Sequence, residues 1–129
     1  LGVGFETTAT TTALAIQQAF ALDLDNFSML SAHVRVLPAM EQLAEAPDNR
    51  VHAFLAAGHV CTVDGCAVYE SFVDKIRLPV VVAGFEPVDL LVAILHCVEQ
   101  LEQGEARVEN CYQRSVRWAG NPHARQTID

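Results

Sequence analysis

A glutamate follows glycine and phenylalanine twice in this chain, in VGFET at residues 3–7 and in AGFEP at residues 83–87. Each segment follows a short apolar run and opens a helical pattern. A carboxylate at that junction can accept the free backbone N–H groups of the helix start, and the helix dipole favours it there. Capping is therefore the plainer role for Glu6 and Glu86. The residues around them invite more. Thr7, Thr8, Thr10, Thr11 and Thr12 crowd one helix start, although threonine is a modest helix former. Their hydroxyls could donate to a ligand at the helix N-terminus. His33 and His59 each follow an apolar run, and Cys61 stands two residues past His59. Two histidines and a thiol at equivalent positions suit proton transfer or nucleophilic chemistry.

Several sharper readings fail on spacing. Cys61 beside His59 lacks an identifiable acid to orient the imidazole. His59, Cys61 and Cys66 do not have the paired spacings of a zinc signature. GVG at residues 2–4 lacks the third glycine of a dinucleotide fingerprint, and a following glutamate would repel pyrophosphate. Cys97 falls on an apolar helix face and reads as a small core residue. His52 and His96 read as scaffold, and Tyr69, Asp74 and Lys75 as helix surface.

The elements that must position these groups alternate. Apolar runs at 1–5, 27–32, 51–57 and 79–83 read as strands, the last (PVVVA) being rich in β-branched residues. Helical spacing covers 8–22, 38–46, 67–76 and 87–102. The helix at 87–102 carries Leu90, Leu91, Ile94, Leu95, Val98 and Leu101 at intervals of three and four, and Gly104 stops it. Residues 59–65 read as a loop. Strands apolar along their whole length imply burial on both faces. The expectation is an α/β fold: one parallel sheet of four strands, with helices on both faces. Residues 107–118 read as either a fifth edge strand or an extended connection in a tail spanning 107–129. Pro87 opens one helix. Asn121 and Pro122 open another, as N-cap and first helical residue.

In a parallel sheet, ligands collect beyond the carboxyl ends of the strands. Gly4, Gly58 and Gly84 would let the backbone turn there. The rim then gathers Glu6, Thr7, Thr8, His33, His59, Cys61 and Glu86.

The chain has 129 residues, 51% of them hydrophobic, and a formal charge of −8 from 16 acidic and 8 basic side chains. That size fits one α/β domain. The acidic balance disfavours nucleic acid. No apolar run reaches the ~18 residues of a membrane span. Four unevenly spaced cysteines suit free thiols in a cytoplasmic protein. The chain starts inside an expected strand and stops inside an expected helix, so it reads as a piece of a longer protein.

Taken in order, GFETTATTTALAIQQA, LDNFSMLSAHV, GHVCTVDG, PVVVAGFEPVDLLVAILHCVEQLEQGEARVEN and GNPHA resemble the HypD family of hydrogenase maturation factors over essentially the whole chain. The resemblance implies a cytoplasmic scaffold on which the Fe(CN)₂CO unit of [NiFe]-hydrogenase is assembled, working with a HypC-like chaperone and a HypE-like cyanide donor. It implies two similar α/β domains facing a cleft, of which this chain resembles the second, and a [4Fe–4S] cluster held elsewhere in the protein. Neither the family's iron-anchoring cysteine nor its cluster cysteines match Cys61, Cys66, Cys97 or Cys111, so no metal ligand or cofactor is implied for this segment. The family positions that match are Gly4, Phe5, Glu6, Thr7 and Thr8; Gly58, His59 and Val60; Gly84, Phe85, Glu86 and Pro87; and Glu109, Asn110, Tyr112, Arg114, Gly120 and Asn121. Cys61 stands where the family often has serine, and Thr10 where it often has proline. Two other readings of the residues stay open: a small hydrolase or transferase using Cys61 and His59, and an anion-binding module at the threonine-rich helix start.

Overall fold

The computed structural model describes residues 1–128; residue 129, the end of the expected tail, lies outside them. The described elements run β1 (Gly2–Gly4), α1 (Glu6–Ala21), β2 (Ser31–His33), α2 (Val36–Glu45), β3 (Phe54–Ala57) and α3 (Gly58–Asp64). A 3-10 turn at Ala67–Tyr69 leads into α4 (Glu70–Ile76), followed by β4 (Val80–Ala83), α5 (Pro87–Gln103), β5 (Val108–Asn110) and α6 (Pro122–Ile128).

The alternation of strand and helix is as expected, and every strand pairing is parallel. The expected single four-stranded sheet does not form. β1 pairs with β2 alone, while β3, β4 and β5 make a separate sheet with β4 at its centre. Side-chain supply accounts for the split. Burying a valine is worth about 1.5–3 kcal/mol, and β4 buries Val80, Val81, Val82 and Ala83. β1 offers two glycines and Val3, which stays exposed. It has little to contribute to a shared core, so helix contacts, α1 on α3 and α1 on α6, join the two halves.

Along β4 the side chains alternate between two clusters. Val80 and Val82 pack with Cys61, Cys66, Tyr69, Phe72 and Val73. Val81 and Ala83 meet Ala93 and Cys97 of α5. Helices therefore cover both faces of the three-stranded sheet. Burial on both faces, expected of all four strands, holds fully for β4 only.

Other expectations change. The second strand starts at Ser31 rather than 27, and Phe27 and Leu30 stay exposed. The third starts at Phe54 rather than 51. Residues 59–65, expected as a loop, belong largely to α3, whose Val60, Cys61 and Val63 turn into the core. Tyr69, expected on the surface, is 2% exposed. Of the two readings for 107–118, the edge strand forms: Val80, Val81 and Val82 register with Val108, Glu109 and Asn110. The final helix starts at Pro122 as expected, with Asn121 Oδ1 accepting the His123 and Ala124 N–H groups at 3.0 and 3.3 Å.

The largest departure concerns α5. Its leucine-rich stripe faces outward, Leu91 being 67% exposed, while Ala93, Cys97 and Gln100 form the buried face. α1 behaves alike: Phe20 is exposed, and Glu6 and Ala19 are buried.

Candidate functional site

The two GFE segments turn out to do different things. Glu6 opens α1 but its side chain does not cap that helix. Its Oε1 reaches across to accept the Val36 N–H at 2.7 Å, at the start of α2, where the N-cap residue Arg35 supplies no side-chain bond of its own. The carboxylate thus caps a helix thirty residues away. Only 7% of Glu6 is exposed, and its Oε2 is buried with no hydrogen-bond partner among the described residues.

A cavity of about 540 Å³ beyond the ends of β1 and β2 has Glu6 in its lining. Glu6, His33, Arg35, Asp64 and Arg125 supply its polar lining, and Ala9, Ala13, Ile16 and Val68 its apolar wall. The His33 ring shares a hydrogen bond of 3.0 Å between Nδ1 and Ser31 Oγ. Its Nε2 is buried and unpartnered among the described residues. Arg35 and Asp64 form an ion pair at 3.7 Å. The Glu6 carboxylate, the His33 imidazole and the Arg35 and Arg125 guanidinium groups therefore belong to residues lining one cavity. Such a set can bind a small ligand carrying both hydrogen-bond donors and acceptors, and can hold a proton beside it.

Three of the five threonines, Thr8, Thr11 and Thr12, are not the free donors expected. Thr8 donates its hydroxyl to the Phe5 carbonyl at 3.1 Å, and Thr11 and Thr12 donate theirs to the Thr8 carbonyl at 2.9 and 3.1 Å. These protons are spent on the helix itself. Thr10 Oγ1 is buried without a partner among the described residues, and Thr7 is half-buried in the first turn. Gly4 matters for a steric reason: a Cβ there would collide with the Thr8 hydroxyl.

At the ends of β3 and β4 the geometry is different. The Tyr112 ring lies against Gly58 and Gly84, and a Cβ on either glycine would strike it. Arg114 lies over this ring, its guanidinium carbon 4.5 Å from the centroid. Arg114 also donates to Asp89 Oδ1 at 2.8 Å and to Glu86 Oε2. The guanidinium holds the Asp89 carboxyl below its usual range. Glu86 is the N-cap residue of α5, with Pro87 next, but it makes no side-chain cap bond. It is an exposed partner of Arg114, and such pairs contribute little stability. His59 is exposed and packs against Phe85, with ring centroids 4.8 Å apart and ring planes tilted by 52°.

Cys61 is 1% exposed, and its Sγ lies 3.9 Å from the Tyr69 hydroxyl. The hydrogen bond with Cys66 and burial push its thiol up, the opposite of what a nucleophile needs. Nothing described joins it to His59.

The structure therefore brings Glu6 and His33 to one cavity, and Gly58, Gly84 and Glu86 to a second cluster around Tyr112 and Arg114. Arg35, Asp64 and Arg125 were missed as cavity residues, since neither their spacing nor their neighbours distinguish them from surface charges. Tyr112 and Arg114 lay in the tail, where only the family resemblance marked them. Metal-ligand types gather elsewhere, between α5 and β5, where His96, Glu109 and Cys111 lie close together.

Among the described residues no helix is long and apolar enough to cross a membrane. A family model for HypD, described as "Hydrogenase formation hypA family", matches residues 1–129. The hydrogenase maturation factor HypD of Escherichia coli strain K12 is 46% identical over 127 residues, covering 98% of this chain and 34% of that protein. The HypD of Rhizobium leguminosarum bv. viciae is 43% identical over 132 residues, covering 98% and 34%. That of Cupriavidus necator H16 is 41% identical over 134 residues, covering 99% and 35%. The chain spans about a third of the length of these relatives. A match along its entire length shows that the chain belongs to the HypD family.

Proposed function

We propose that this chain is one α/β domain of a [NiFe]-hydrogenase maturation scaffold, and that its strand-end rim forms one wall of the cleft in which the Fe(CN)₂CO unit is assembled. The scaffold is cytoplasmic and works with a HypC-like chaperone and a HypE-like cyanide donor; a [4Fe–4S] cluster belongs to the rest of the protein. Its role is assembly rather than turnover. The observation that carries this reading is the buried Glu6 carboxylate in the cavity lining, with one oxygen committed to α2 and the other without a hydrogen-bond partner among the described residues.

Iron-bound cyanide accepts hydrogen bonds at nitrogen. With the Thr8 hydroxyl proton committed to a carbonyl, the donors at this rim are His33, Arg35 and Arg125, which line the cavity. Glu6 Oε2, an acceptor without a partner among the described residues, can fix a neighbouring donor. On the second cluster, the exposed His59 ring and the charged Glu86–Arg114–Asp89 group are offered to a facing surface.

The test is Glu6→Gln in the full-length protein, read by in vivo hydrogenase activity and by a melting curve. Retained folding with lost maturation supports the reading. Full maturation would reduce Glu6 to a cap for α2.

A further inference from the structure

We propose that His96, Glu109 and Cys111 form a binding site for one borderline divalent metal ion, of which zinc is the type. His96 comes from α5. Glu109 lies in β5, and Cys111 directly follows it. Pairing of β5 with β4, and packing of α5 on that sheet, bring them together. Their candidate ligand atoms all lie within 4.8 Å of one another.

Ion size and ligand type both suit this class of metal. Zinc takes imidazole nitrogen at about 2.0–2.1 Å, carboxylate oxygen at about 2.0–2.2 Å and thiolate at about 2.3 Å, tetrahedrally. The corresponding ligand-to-ligand edges are about 3.3–3.8 Å. His96 Nδ1 and Glu109 Oε1, now hydrogen-bonded at 2.7 Å, would open by roughly half an ångström to admit the ion. A set of one nitrogen, one oxygen and one sulfur disfavours magnesium and calcium, which want oxygen throughout.

The support behind the ligands is what distinguishes this set from a simple histidine–glutamate pair. Gln100 is fully buried, 0% exposed. Its Nε2 donates to Glu109 Oε2 at 3.0 Å, and its Oε1 accepts the Arg107 N–H at 2.9 Å. The Arg107 guanidinium stands 3.6 Å from the same Oε2. Glu109 is therefore held by one oxygen while the other faces His96. Cys111 is fixed by its N–H, which donates to the Val82 carbonyl at 3.0 Å. Outer partners of this kind orient metal ligands and raise affinity. A surface recess lined by Val92, Asn110 and Gln113 adjoins the three side chains, which leaves a fourth coordination position open to water.

The proposal is independent of the cleft reading, and its test reads metal binding alone. The full-length protein is stripped with a chelator and titrated with cobalt(II), a spectroscopic stand-in for zinc. The expected result is one equivalent showing a thiolate-to-cobalt charge-transfer band that zinc displaces. Cys111→Ser should remove that equivalent's band. His96→Ala and Glu109→Gln should each weaken its binding about tenfold or more, with far-ultraviolet circular dichroism unchanged. His96→Gln gives a second reading on a half-buried residue if either of those disturbs the fold. A cobalt spectrum identical in wild type and Cys111→Ser, or affinity unchanged in the histidine variants, would overturn the proposal.

Discussion

Replacing Glu6 by alanine should loosen a helix that Glu6 does not belong to. The substitution removes the acceptor of the Val36 N–H, a bond of 2.7 Å in a part-buried setting. Loss of a helix cap costs about 1 kcal/mol, within a range of about 0.5–2. For a domain of this size that lowers Tm by about 4 °C. Glu6→Gln keeps an oxygen where Oε1 stands and removes a charge that is buried with one unpartnered oxygen. Its cost should be smaller, because the charge no longer has to be held away from water. Hydrogen exchange followed by mass spectrometry or NMR locates the effect. The amides at the start of α2, Val36 first, should exchange faster in Glu6→Ala and close to the wild-type rate in Glu6→Gln. The amides of α1, whose start Glu6 occupies, should change less. If Val36 protection is the same in Glu6→Ala as in wild type, the carboxylate does not cap α2 and the reasoning fails.

Gly58→Ala should destabilise more than Gly84→Ala. The new Cβ at position 58 meets the Tyr112 ring and lies 2.6 Å from the Ala83 carbonyl oxygen, which is backbone and cannot step aside, whereas at 84 it meets side chains, first Asp89 and then Tyr112. Overpacking of this kind costs about 1–3 kcal/mol, and a pair of melting curves ranks the two; equal melting temperatures would contradict the steric account. Cys61 should resist thiol reagents in the native protein at neutral pH, because it is buried and its thiol is pushed up, and should label only on unfolding. Rapid native labelling of Cys61 with a depressed pKa would instead revive the reading of Cys61 as a nucleophile.

What the sequence made legible follows local chemistry. PVVVA could only be a buried strand, and Asn121–Pro122 could only start a helix; both formed. Glu6, Arg35 and Glu86 do follow strands, but the strands belong to two sheets rather than one, so these residues share no single rim. The failures share a cause, which is that partners distant in sequence decided the outcome. Nothing near Glu6 says that its oxygen caps α2, since the acceptor's partner is Val36. The threonine hydroxyls looked like free donors, because their carbonyl partners appear only once the helix is built. Val60, Cys61 and Val63 mark too short an apolar face to stand out from the polar residues between them, so α3 read as a loop. The division into two sheets turned on how little β1 has to bury, a quantity that a run such as LGVGF overstates. The leucine stripe of α5 was visible, but amphipathic spacing marks which side is apolar and not which side this stretch of chain covers.

The most direct test of the rim as a ligand-positioning surface is the infrared spectrum of the full-length protein loaded with the iron-bound diatomic ligands that the proposed function assigns to it. Wild type and Glu6→Gln are compared in the cyanide and carbonyl stretching region. A carboxylate that fixes donors around those ligands predicts cyanide bands that shift or disappear in Glu6→Gln while far-ultraviolet circular dichroism stays as in wild type. Bands of unchanged position and intensity in a folded Glu6→Gln protein would contradict the account.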